Sequence, residues 1–362
     1  MEKLLNICSQ FNIPQNIISI NPFGSGHIND TYKVITEEKN YLLQRINHEV
    51  FKNVEGLTDN IIKVTKFLKA KLELENSKKQ LLISNETNSG KYYFKDEEGS
   101  YWRIFDFIEN SKSYDLVENS DLAFEGGKAY GWFVKMLSDF PATELVDTIP
   151  NFHHADFRID NFKKAVSDNS AGRAENVKDL ILELDKRAEE MKGIQLLGDQ
   201  GKIPIRVTHN DTKINNVLFN DKNEGICVID LDTVMPGFVH FDFGDAIRTF
   251  TNTANEDEAD LSKISMNIQL FEGFTKGFLF EAGSVLSQEE IKHLAFSAKY
   301  IVYEQSIRFF TDYLDGDKYY KTKYPEHNLV RTKAQFKLLQ SMEEQFEEMK
   351  EIVRNLSSEF SV

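Results

Sequence analysis

A short polar segment near the middle of the chain carries residue types that serve phosphoryl transfer. Asp211, Lys213 and Asn216 follow one another closely there, and a second aspartate, Asp230, stands after an apolar stretch. Phosphoryl transfer needs a carboxylate that orients an acceptor hydroxyl, and hard oxygen ligands that hold Mg²⁺ against nucleotide phosphates. The segment offers both kinds of group, so it is a candidate catalytic loop.

Each of these side chains fits one role. Asp211 can hold the acceptor oxygen in line and accept its proton, while Lys213 can place a positive charge on the transferring γ-phosphate. Asn216 and Asp230 would supply a neutral and an anionic oxygen to Mg²⁺, with ATP as the nucleotide. The plain alternative is a polar turn between two strands.

The residues between the two metal-ligand candidates predict a β-hairpin. Residues 217–219 and 226–229 are apolar and are typical of short strands, and the turn between them is polar. A hairpin returns the chain to its starting point. We therefore expect Asn216 and Asp230 to meet at its open end.

The wording of this region, HNDTKINNVLF followed by VIDLDTVMPG, resembles the catalytic loop of the aminoglycoside-phosphotransferase and choline-kinase branch of the protein-kinase-like fold. Within that branch it is most similar to the N-acetylhexosamine 1-kinases, and the likeness extends from Phe23 to about Arg248. The resemblance implies that Asp211 is the base and that Asn216 and Asp230 hold magnesium.

The same resemblance implies an α+β, protein-kinase-like fold with two lobes. Residues 1–109 would form a small β-rich N-terminal lobe that binds the nucleotide and ends in the hinge. Residues 110–362 would form a larger, mainly helical C-terminal lobe that carries catalysis and substrate binding.

The N-terminal part contains a short glycine loop, Gly24-Ser25-Gly26, between two strand-like stretches. Glycines let backbone amides approach phosphates closely, although an ordinary hairpin would also explain them. The next strand, 41–46, carries Arg45 where the resemblance places a phosphate-binding lysine. Arginine can take that role as a bidentate donor.

Arg45 would need an acidic partner on or near the following helix, which we expect over 54–74. Glu49, Glu55 and Asp59 are the candidates. Each has the alternative interpretation of a solvated charge on the helix surface.

An aromatic run, 100–109, predicts a strand that leads into the hinge. The resemblance implies that backbone groups around Phe107, Ile108 and Glu109 form hydrogen bonds with the adenine base.

A literal Asp242-Phe243-Gly244 also occurs, but it lies too far along the chain to close the predicted hairpin. We therefore assign the metal role to Asp230. We expect 242–248 to be a loop and the start of a helix, where acidic residues near the first turn favour the helix dipole.

The C-terminal part should be mostly helical. Apolar stripes predict helices over 125–140 and 176–191. Capping boxes at Ser287–Glu290 and at Thr332–Gln335 predict the starts of two further helices.

The resemblance places contacts with the acceptor near 156–158 and in the loop from 232 to 248. The candidates are side chains that can bind hydroxyl or acetamido groups through charge-assisted hydrogen bonds: Asp156, Arg158, Asp232, Asp245 and Arg248. Asp245 and Arg248 could equally pair with one another and brace the loop.

Composition limits the other classes of function. The net charge of −15 disfavours nucleic-acid binding, which needs a basic surface. The chain has no long apolar run and no apolar leader, so we expect a cytoplasmic protein without membrane contact, as a monomer or small homo-oligomer. Cys8 and Cys227 are expected to be reduced structural thiols. The pair His153-His154 lacks zinc spacing and indicates a surface turn or a sugar contact.

These observations predict a kinase that uses ATP and Mg²⁺ to phosphorylate a small-molecule hydroxyl. The first candidate is the anomeric 1-OH of an N-acetylhexosamine, GlcNAc or GalNAc, and the alternative acceptors are an aminoglycoside, choline or homoserine. The alternative of another class is a catalytically silent nucleotide- or sugar-binding protein of the same fold. The intact Asp211, Asn216 and Asp230 disfavour it.

Overall fold

The computed structural model describes residues 2–24, 28–75 and 78–360, so Ser25 and Gly26 of the predicted glycine loop lie outside the described residues. The chain divides into two compact units. The first consists of Met1–Ser113, Asp139–Pro150 and Asn216–Pro236, and the second of Tyr114–Ser138, Asn151–Asn215 and Gly237–Val362. The chain first passes from one unit to the other after Ser113, a few residues beyond the expected lobe boundary at 109/110. Two later segments belong again to the first unit.

The first unit is rich in β-strands and the second is mainly helical, which confirms the α+β fold class. In chain order, the helices and strands are α1 (Glu2–Cys8), β1 (Ile17–Pro22), β2 (Asp30–Thr36), β3 (Asn40–Ile46), α2 (Val54–Glu75), β4 (Phe94–Lys95), β5 (Tyr101–Asp106), α3 (Ser120–Met136), α4 (Ala155–Asp168), α5 (Lys178–Asp185), α6 (Ala188–Met191), α7 (Gly193–Asp199), β6 (Arg206–Thr208), β7 (Val217–Phe219), β8 (Gly225–Val228), β9 (Met235–Gly237), α8 (Val239–Phe250), α9 (Ile268–Ala282), α10 (Gln288–Lys292), α11 (Leu294–Asp315), α12 (His327–Glu344) and α13 (Phe346–Phe360).

Five strands of the first unit form an antiparallel sheet in the order β1-β2-β3-β5-β4. One face packs with α1 into an apolar core that includes Val34, Leu43 and Trp102. Side chains alternate along a strand, and Arg45 stands opposite Trp102 in the register, so Arg45 belongs to this face. The neighbouring pair, Gln44 and Arg103, therefore lies on the other face of the sheet.

The hairpin predicted between the two metal-ligand candidates is confirmed. β7 and β8 pair antiparallel, with Val217 opposite Val228. The Asn220 side chain closes the turn, since its oxygen accepts the amide hydrogens of Lys222 (2.9 Å) and Glu224 (3.0 Å). An asparagine that bonds the backbone in this way stabilises a turn without long-range contacts.

Helices α3 and α9 of the second unit cross at short range because glycines face the partner backbone. A Cβ atom added to Gly127 would lie 2.2 Å from the Phe274 carbonyl oxygen, and one added to Gly277 would lie 2.0 Å from the Phe124 carbonyl oxygen. A side chain at either glycine would force the helices apart. Elsewhere in this unit, α11 packs against α4, α8 and α12.

The helix predicted over 176–191 is divided into α5 and α6. The chain turns at Lys186 and Arg187, and the Arg187 guanidinium binds Glu343 of α12 at 2.7 and 2.8 Å. This contact between distant parts of the chain outweighs the local apolar pattern that predicted one continuous helix. The helix predicted over 125–140 is present as α3, shifted towards the N-terminus.

One of the two predicted capping boxes is confirmed and the other is wrong. Ser287 and Glu290 form a capping box at the start of α10. Thr332 lies inside α12, where its buried hydroxyl donates to the Asn328 carbonyl one turn earlier (2.7 Å). Threonine can make this bond within a helix, so its spacing from Gln335 does not by itself indicate a helix start.

Both cysteines are buried free thiols. Burial raises the pKa of Cys8 and of Cys227 to about 12, which suits a structural role better than a reactive one. Among the helices of residues 2–24, 28–75 and 78–360, none combines the length and the apolar character that a membrane span needs.

Candidate active site

The candidate catalytic loop follows β6 and is held by a buried aspartate of α8. The Asp242 carboxylate accepts the backbone N–H groups of His209 (2.9 Å) and Asn210 (2.7 Å). Burial raises the pKa of Asp242 to about 6, although His209 and the two amide donors oppose that rise. The predicted helix is confirmed with Asp242 in its first turn, but the predicted loop is wrong, because 242–248 lies entirely within α8. The literal Asp-Phe-Gly therefore anchors the loop, a role that the sequence did not indicate.

A second aspartate of α8 braces the same loop. Asp245 accepts the Thr212 backbone N–H at 2.8 Å, and its other carboxylate oxygen accepts Arg248 Nε and Nη2 at 3.0 and 2.9 Å. Arg248 also donates to Glu256 at 2.7 Å. Of the two interpretations that the sequence left open, the structure has the pairing of Asp245 with Arg248. The acceptor contacts predicted for these two residues are thus replaced by a bracing role.

Asp211 and Lys213 meet on this loop. Lys213 Nζ lies 3.0 Å from Asp211 Oδ2, and both side chains are partly exposed. The Tyr130 hydroxyl of α3 donates to the Lys213 carbonyl at 2.8 Å. The buried His209 ring packs edge-on against Tyr130 and Phe133. The loop backbone is therefore fixed from behind, while its carboxylate and ammonium remain accessible.

His153 supports the loop from a third direction. Its Nε2 lies 3.4 Å from the Asn210 carbonyl oxygen, and its Nδ1 lies 2.6 Å from Glu304 Oε2. Burial alone would raise the pKa of Glu304, but His153 and Arg308 lower it to about 2. The carboxylate is therefore ionised and buried. The prediction of a surface position is wrong for His153, because its side chain is buried within the second unit.

Glu304 also pairs with two residues that line a cavity of about 180 Å³ in the second unit. Its Oε1 lies 3.4 Å from Arg158 Nε and 3.5 Å from Arg308 Nη1. Both guanidiniums line the cavity together with six other residues, four of them charged or aromatic: Asn161, Thr311, Asp312, Asp315, Tyr319 and Tyr320.

The two acceptor candidates on α4 lie in different surroundings. Arg158 lines the cavity and donates to the Phe152 carbonyl at 3.0 and 2.6 Å. Asp156 pairs with Lys192 at 3.3 Å and is not among the residues that line the cavity. Of these two candidates, Arg158 is the one that lines this cavity.

The two metal-ligand candidates lie at the open end of the β7–β8 hairpin in the first unit. The Ile229 N–H donates to the Asn216 carbonyl at 2.9 Å, which continues the ladder of the hairpin up to Asp230. Asp230 has φ 59° and ψ 58°, a left-handed conformation that is uncommon for a residue other than glycine. An amide and a carboxylate oxygen form a donor set that suits Mg²⁺, which usually completes its shell with water and substrate phosphates.

No group of three or more His, Cys, Asp and Glu side chains that could hold a metal occurs in the part of the chain that the structure describes. The magnesium role of Asn216 and Asp230 stays a prediction.

The phosphate-binding role predicted for Arg45 is not supported by its position. Its Nε donates to Asp30 at 2.7 Å, and both side chains are about half exposed. Arg45 lies on the face of the sheet that packs with α1, whereas the side chain of its neighbour Gln44 lies on the opposite face. None of the predicted partners binds it: Glu49 pairs with Lys52, and Glu55 and Asp59 are exposed on α2.

The buried arginine of the sheet is Arg103 on β5, which sequence reasoning missed. Arg103 and Asp232 form a two-pronged ion pair, with Nη2 at 2.9 Å from Asp232 Oδ2. Asn29 Nδ2 donates to the same oxygen at 2.7 Å. The acceptor contact predicted for Asp232 is therefore wrong, since its buried carboxylate is bound by side chains of the first unit.

The predicted hinge follows β5 and begins with a backbone bond. The Phe107 N–H donates to the Asn40 carbonyl at 3.0 Å, and the Asn40 side chain donates to Glu109 at 2.6 Å. The Phe107 ring packs edge-on against Phe23, 5.4 Å between centroids, and Lys33 Nζ lies 3.7 Å from the ring centre. The segment thus presents an aromatic surface beside the residues that precede the glycine loop.

Comparisons with known proteins place this geometry in a family. The model of the phosphotransferase enzyme family, APH, matches residues 19–263. Similar solved structures include a microcompartment-associated aminopropanol kinase (12% identity, 96% of this chain and 98% of that chain, TM-score 0.59), the spectinomycin phosphotransferase APH(9)-Ia in complex with ADP and spectinomycin (13%, 96%, 98%, 0.58) and choline kinase from Cryptosporidium parvum Iowa II (13%, 99%, 99%, 0.55).

At these identities the structural likeness shows a shared protein-kinase-like fold. The family model covers more than half of the chain. The chain therefore belongs to the phosphotransferase enzyme family.

Proposed function

We propose that this protein is a kinase that uses ATP and Mg²⁺ to phosphorylate the anomeric 1-OH of an N-acetylhexosamine. The observation that carries the kinase chemistry is the accessible Asp211 carboxylate, 3.0 Å from the Lys213 ammonium on a loop whose backbone is anchored by Asp242. A base that is held in place and remains open to a substrate is what phosphoryl transfer requires of the protein.

In the proposed reaction, Asp211 orients the acceptor hydroxyl and takes its proton. The bond from the acceptor oxygen to the γ-phosphorus forms while the bond from that phosphorus to the ADP oxygen breaks. Lys213 stabilises the negative charge on the transferring group. Asn216 and Asp230 would hold Mg²⁺, which neutralises charge on the nucleotide phosphates when bound.

The nucleotide is assigned to groups of the first unit. Amides of the Gly24-Ser25-Gly26 loop would bind phosphates, and the positive φ of Gly24, 80°, is a conformation that glycine adopts at little cost. Backbone groups of Phe107, Ile108 and Glu109 would bind the adenine. The Ile108 carbonyl already accepts the Ser111 hydroxyl at 2.7 Å, so we assign the base to the remaining backbone groups.

The cavity beside Glu304 favours a neutral acceptor over a cationic one. Its guanidiniums, Arg158 and Arg308, can donate hydrogen bonds to hydroxyl and acetamido oxygens, which suits a neutral sugar. Tyr319 and Tyr320 add aromatic surface, on which the apolar side of a sugar ring can pack. Glu304 and His153 connect this cavity with the loop that carries Asp211.

The cavity also contains two carboxylates, which equal its two guanidiniums in formal charge. Asp312 accepts the backbone N–H groups of Lys318, Tyr319 and Tyr320 and the side-chain amide of Asn328, at 2.7 to 2.9 Å. The Asp312 carboxylate is therefore held in place by hydrogen bonds within the protein. Asp315 is the other carboxylate of the lining.

The test is turnover of ATP and Mg²⁺ with GlcNAc, GalNAc, kanamycin, choline and homoserine, followed by phosphorus NMR of any product. We expect turnover with an acetamido sugar and an acid-labile anomeric phosphate, and we expect Asp211→Asn to abolish most of it. Turnover with a cationic acceptor alone would keep the kinase and overturn the sugar. No turnover across the panel, together with nucleotide binding, would favour the catalytically silent alternative.

A further inference from the structure

A buried ion pair lies two residues from the proposed metal ligand Asp230. Arg103 and Asp232 are 3% and 2% exposed, and they share two hydrogen bonds, one at 2.9 Å. Such a pair costs much desolvation free energy, so it is weak evidence of a purely stabilising role.

Most of the donors of Arg103 are already engaged within the protein. Nε and one hydrogen of Nη2 point to Gln44 Oε1, at 3.0 and 2.8 Å, and Gln44 in turn donates to Thr31 at 3.1 Å. The other Nη2 hydrogen and one of Nη1 point to Asp232. Four of the five N–H groups are thus used, which leaves little for a phosphate and indicates that Arg103 orients Asp232.

Asp232 is held from a second side by Asn29. Asn29 Nδ2 donates to Asp232 Oδ2 at 2.7 Å, and Asn29 Oδ1 accepts the Asn47 backbone N–H at 2.9 Å. Asn29 stands shortly after the Gly24–Gly26 loop in the sequence. A shift of Asp232 would therefore disturb the segment that follows the glycine loop and the end of β3.

The turn that contains Asp232 begins with the left-handed Asp230. This conformation costs most non-glycine residues on the order of 1 kcal/mol or more, and aspartate adopts it more readily than most. The turn is fixed at Asp232 by Arg103 and Asn29. It is fixed again at Val234, whose carbonyl accepts Asn60 Nδ2 of α2 at 2.9 Å.

We propose that the Arg103–Asp232 pair is a positioning device for the metal site, which holds Asp230 in its left-handed conformation at the end of the hairpin beside Asn216. This inference rests on the proposed metal role of Asp230. In the expected kinase arrangement a lysine of the third strand pairs with an acidic residue of the next helix; here the buried pair joins β5 to the metal-ligand turn.

The experiment replaces the whole pair, because removal of one partner would leave a buried charge and could unfold the protein. The double variant Arg103→Met/Asp232→Leu exchanges it for apolar groups, a change that folded proteins often tolerate. The matched control is Arg45→Met/Asp30→Leu, which removes the exposed Arg–Asp pair of the same sheet. Arg103→Lys is a second test that keeps the charge but loses the two-pronged geometry.

The first readout is Mn²⁺ binding in the presence of a non-hydrolysable ATP analogue, followed by electron paramagnetic resonance, which does not depend on turnover. The second is the Mg²⁺ concentration that half-activates the kinase. We expect the double variant and Arg103→Lys to weaken Mn²⁺ binding by about tenfold or more and the control by less than twofold. Thermal unfolding confirms that the variants compared are folded.

Two results would overturn the inference: wild-type Mn²⁺ affinity in a folded Arg103 variant, or an equal loss in the exposed-pair control. Asp230→Ala separates this failure from failure of the proposed function. If Asp230→Ala leaves Mn²⁺ binding unchanged, the metal role itself is wrong. If it abolishes binding while the Arg103 variants do not, only the positioning role is excluded.

Discussion

Asp242→Asn is expected to lower turnover while changing the free energy of unfolding at pH 7 only slightly. The carboxylate accepts two backbone amides of the loop that carries Asp211, at 2.9 and 2.7 Å. Asparagine keeps one acceptor oxygen but turns an N–H₂ group towards the second amide. The loop then loses one buried hydrogen bond and faces an unsatisfied donor, a change that costs about 1–3 kcal/mol.

The same substitution removes the cost of burying a charge. Burial raises the pKa of Asp242 from 3.8 to about 6, and a pKa difference of this size corresponds to about 3 kcal/mol. The folded protein binds the proton more tightly than the unfolded chain does. The contribution of this group to the free energy of unfolding is therefore greatest below pH 3.8, falls as the pH rises to about 6, and is constant above it.

At pH 7 the two effects of Asp242→Asn oppose one another and are of similar size, so we expect a net change in unfolding free energy within about 2 kcal/mol. We expect turnover to fall by about tenfold or more, since the geometry of the catalytic loop is lost.

The assay is urea unfolding of both proteins from pH 4 to pH 7.5, with kcat measured at pH 7.5. The difference in unfolding free energy, wild type minus variant, should decrease by about 2 kcal/mol from pH 4 to pH 6 and level off near pH 7. Asp121→Asn, at an exposed first-turn position of α3, is the matched control and should show no such slope. A difference that does not vary with pH, or an unchanged kcat, would show that Asp242 is not the buried anchor of this loop.

Three further results are expected. Asp211→Asn should lower kcat by at least about a hundredfold with little change in nucleotide affinity, and full activity would remove Asp211 from the mechanism. Gly127→Ala should destabilise the protein by about 1–3 kcal/mol or more in thermal unfolding, because its Cβ would meet the Phe274 carbonyl, whereas in an open helix the change would stabilise. Burial lowers the pKa of His240 from 6.5 to about 4, so its contribution to stability is present above pH 6.5 and is lost as the pH falls towards 4; His240→Gln should abolish that slope in urea unfolding.

The local part of the candidate site was predictable from the sequence. The β7–β8 hairpin depends on short apolar runs and on a turn that Asn220 closes within a few residues. Such patterns carry their own physical cause in neighbouring residues. For the same reason Asp211, Lys213 and Asn216 could be recognised as one loop.

The contacts that hold the site were not predictable in this way. Arg103 and Asp232 stand 129 residues apart, and neither lies in a pattern that indicates the other. The error at Arg45 has a related cause: a shift of one residue along a strand moves a side chain to the other face of the sheet. Pairing between distant elements decides which face is buried, and the local pattern of a sequence does not show that pairing.

The glycine contact between α3 and α9 has a mechanical consequence for the catalytic loop. Where two backbones are in direct contact, no side chain lies between them that could rotate to absorb a displacement. The two helices therefore resist sliding and bending and behave as one rigid unit. The Tyr130 side chain extends from α3, and its hydroxyl donates a hydrogen bond to the Lys213 carbonyl. The backbone at Lys213 is thereby held in place by a rigid pair of helices. The ammonium group can still move by rotation about the bonds of its own side chain.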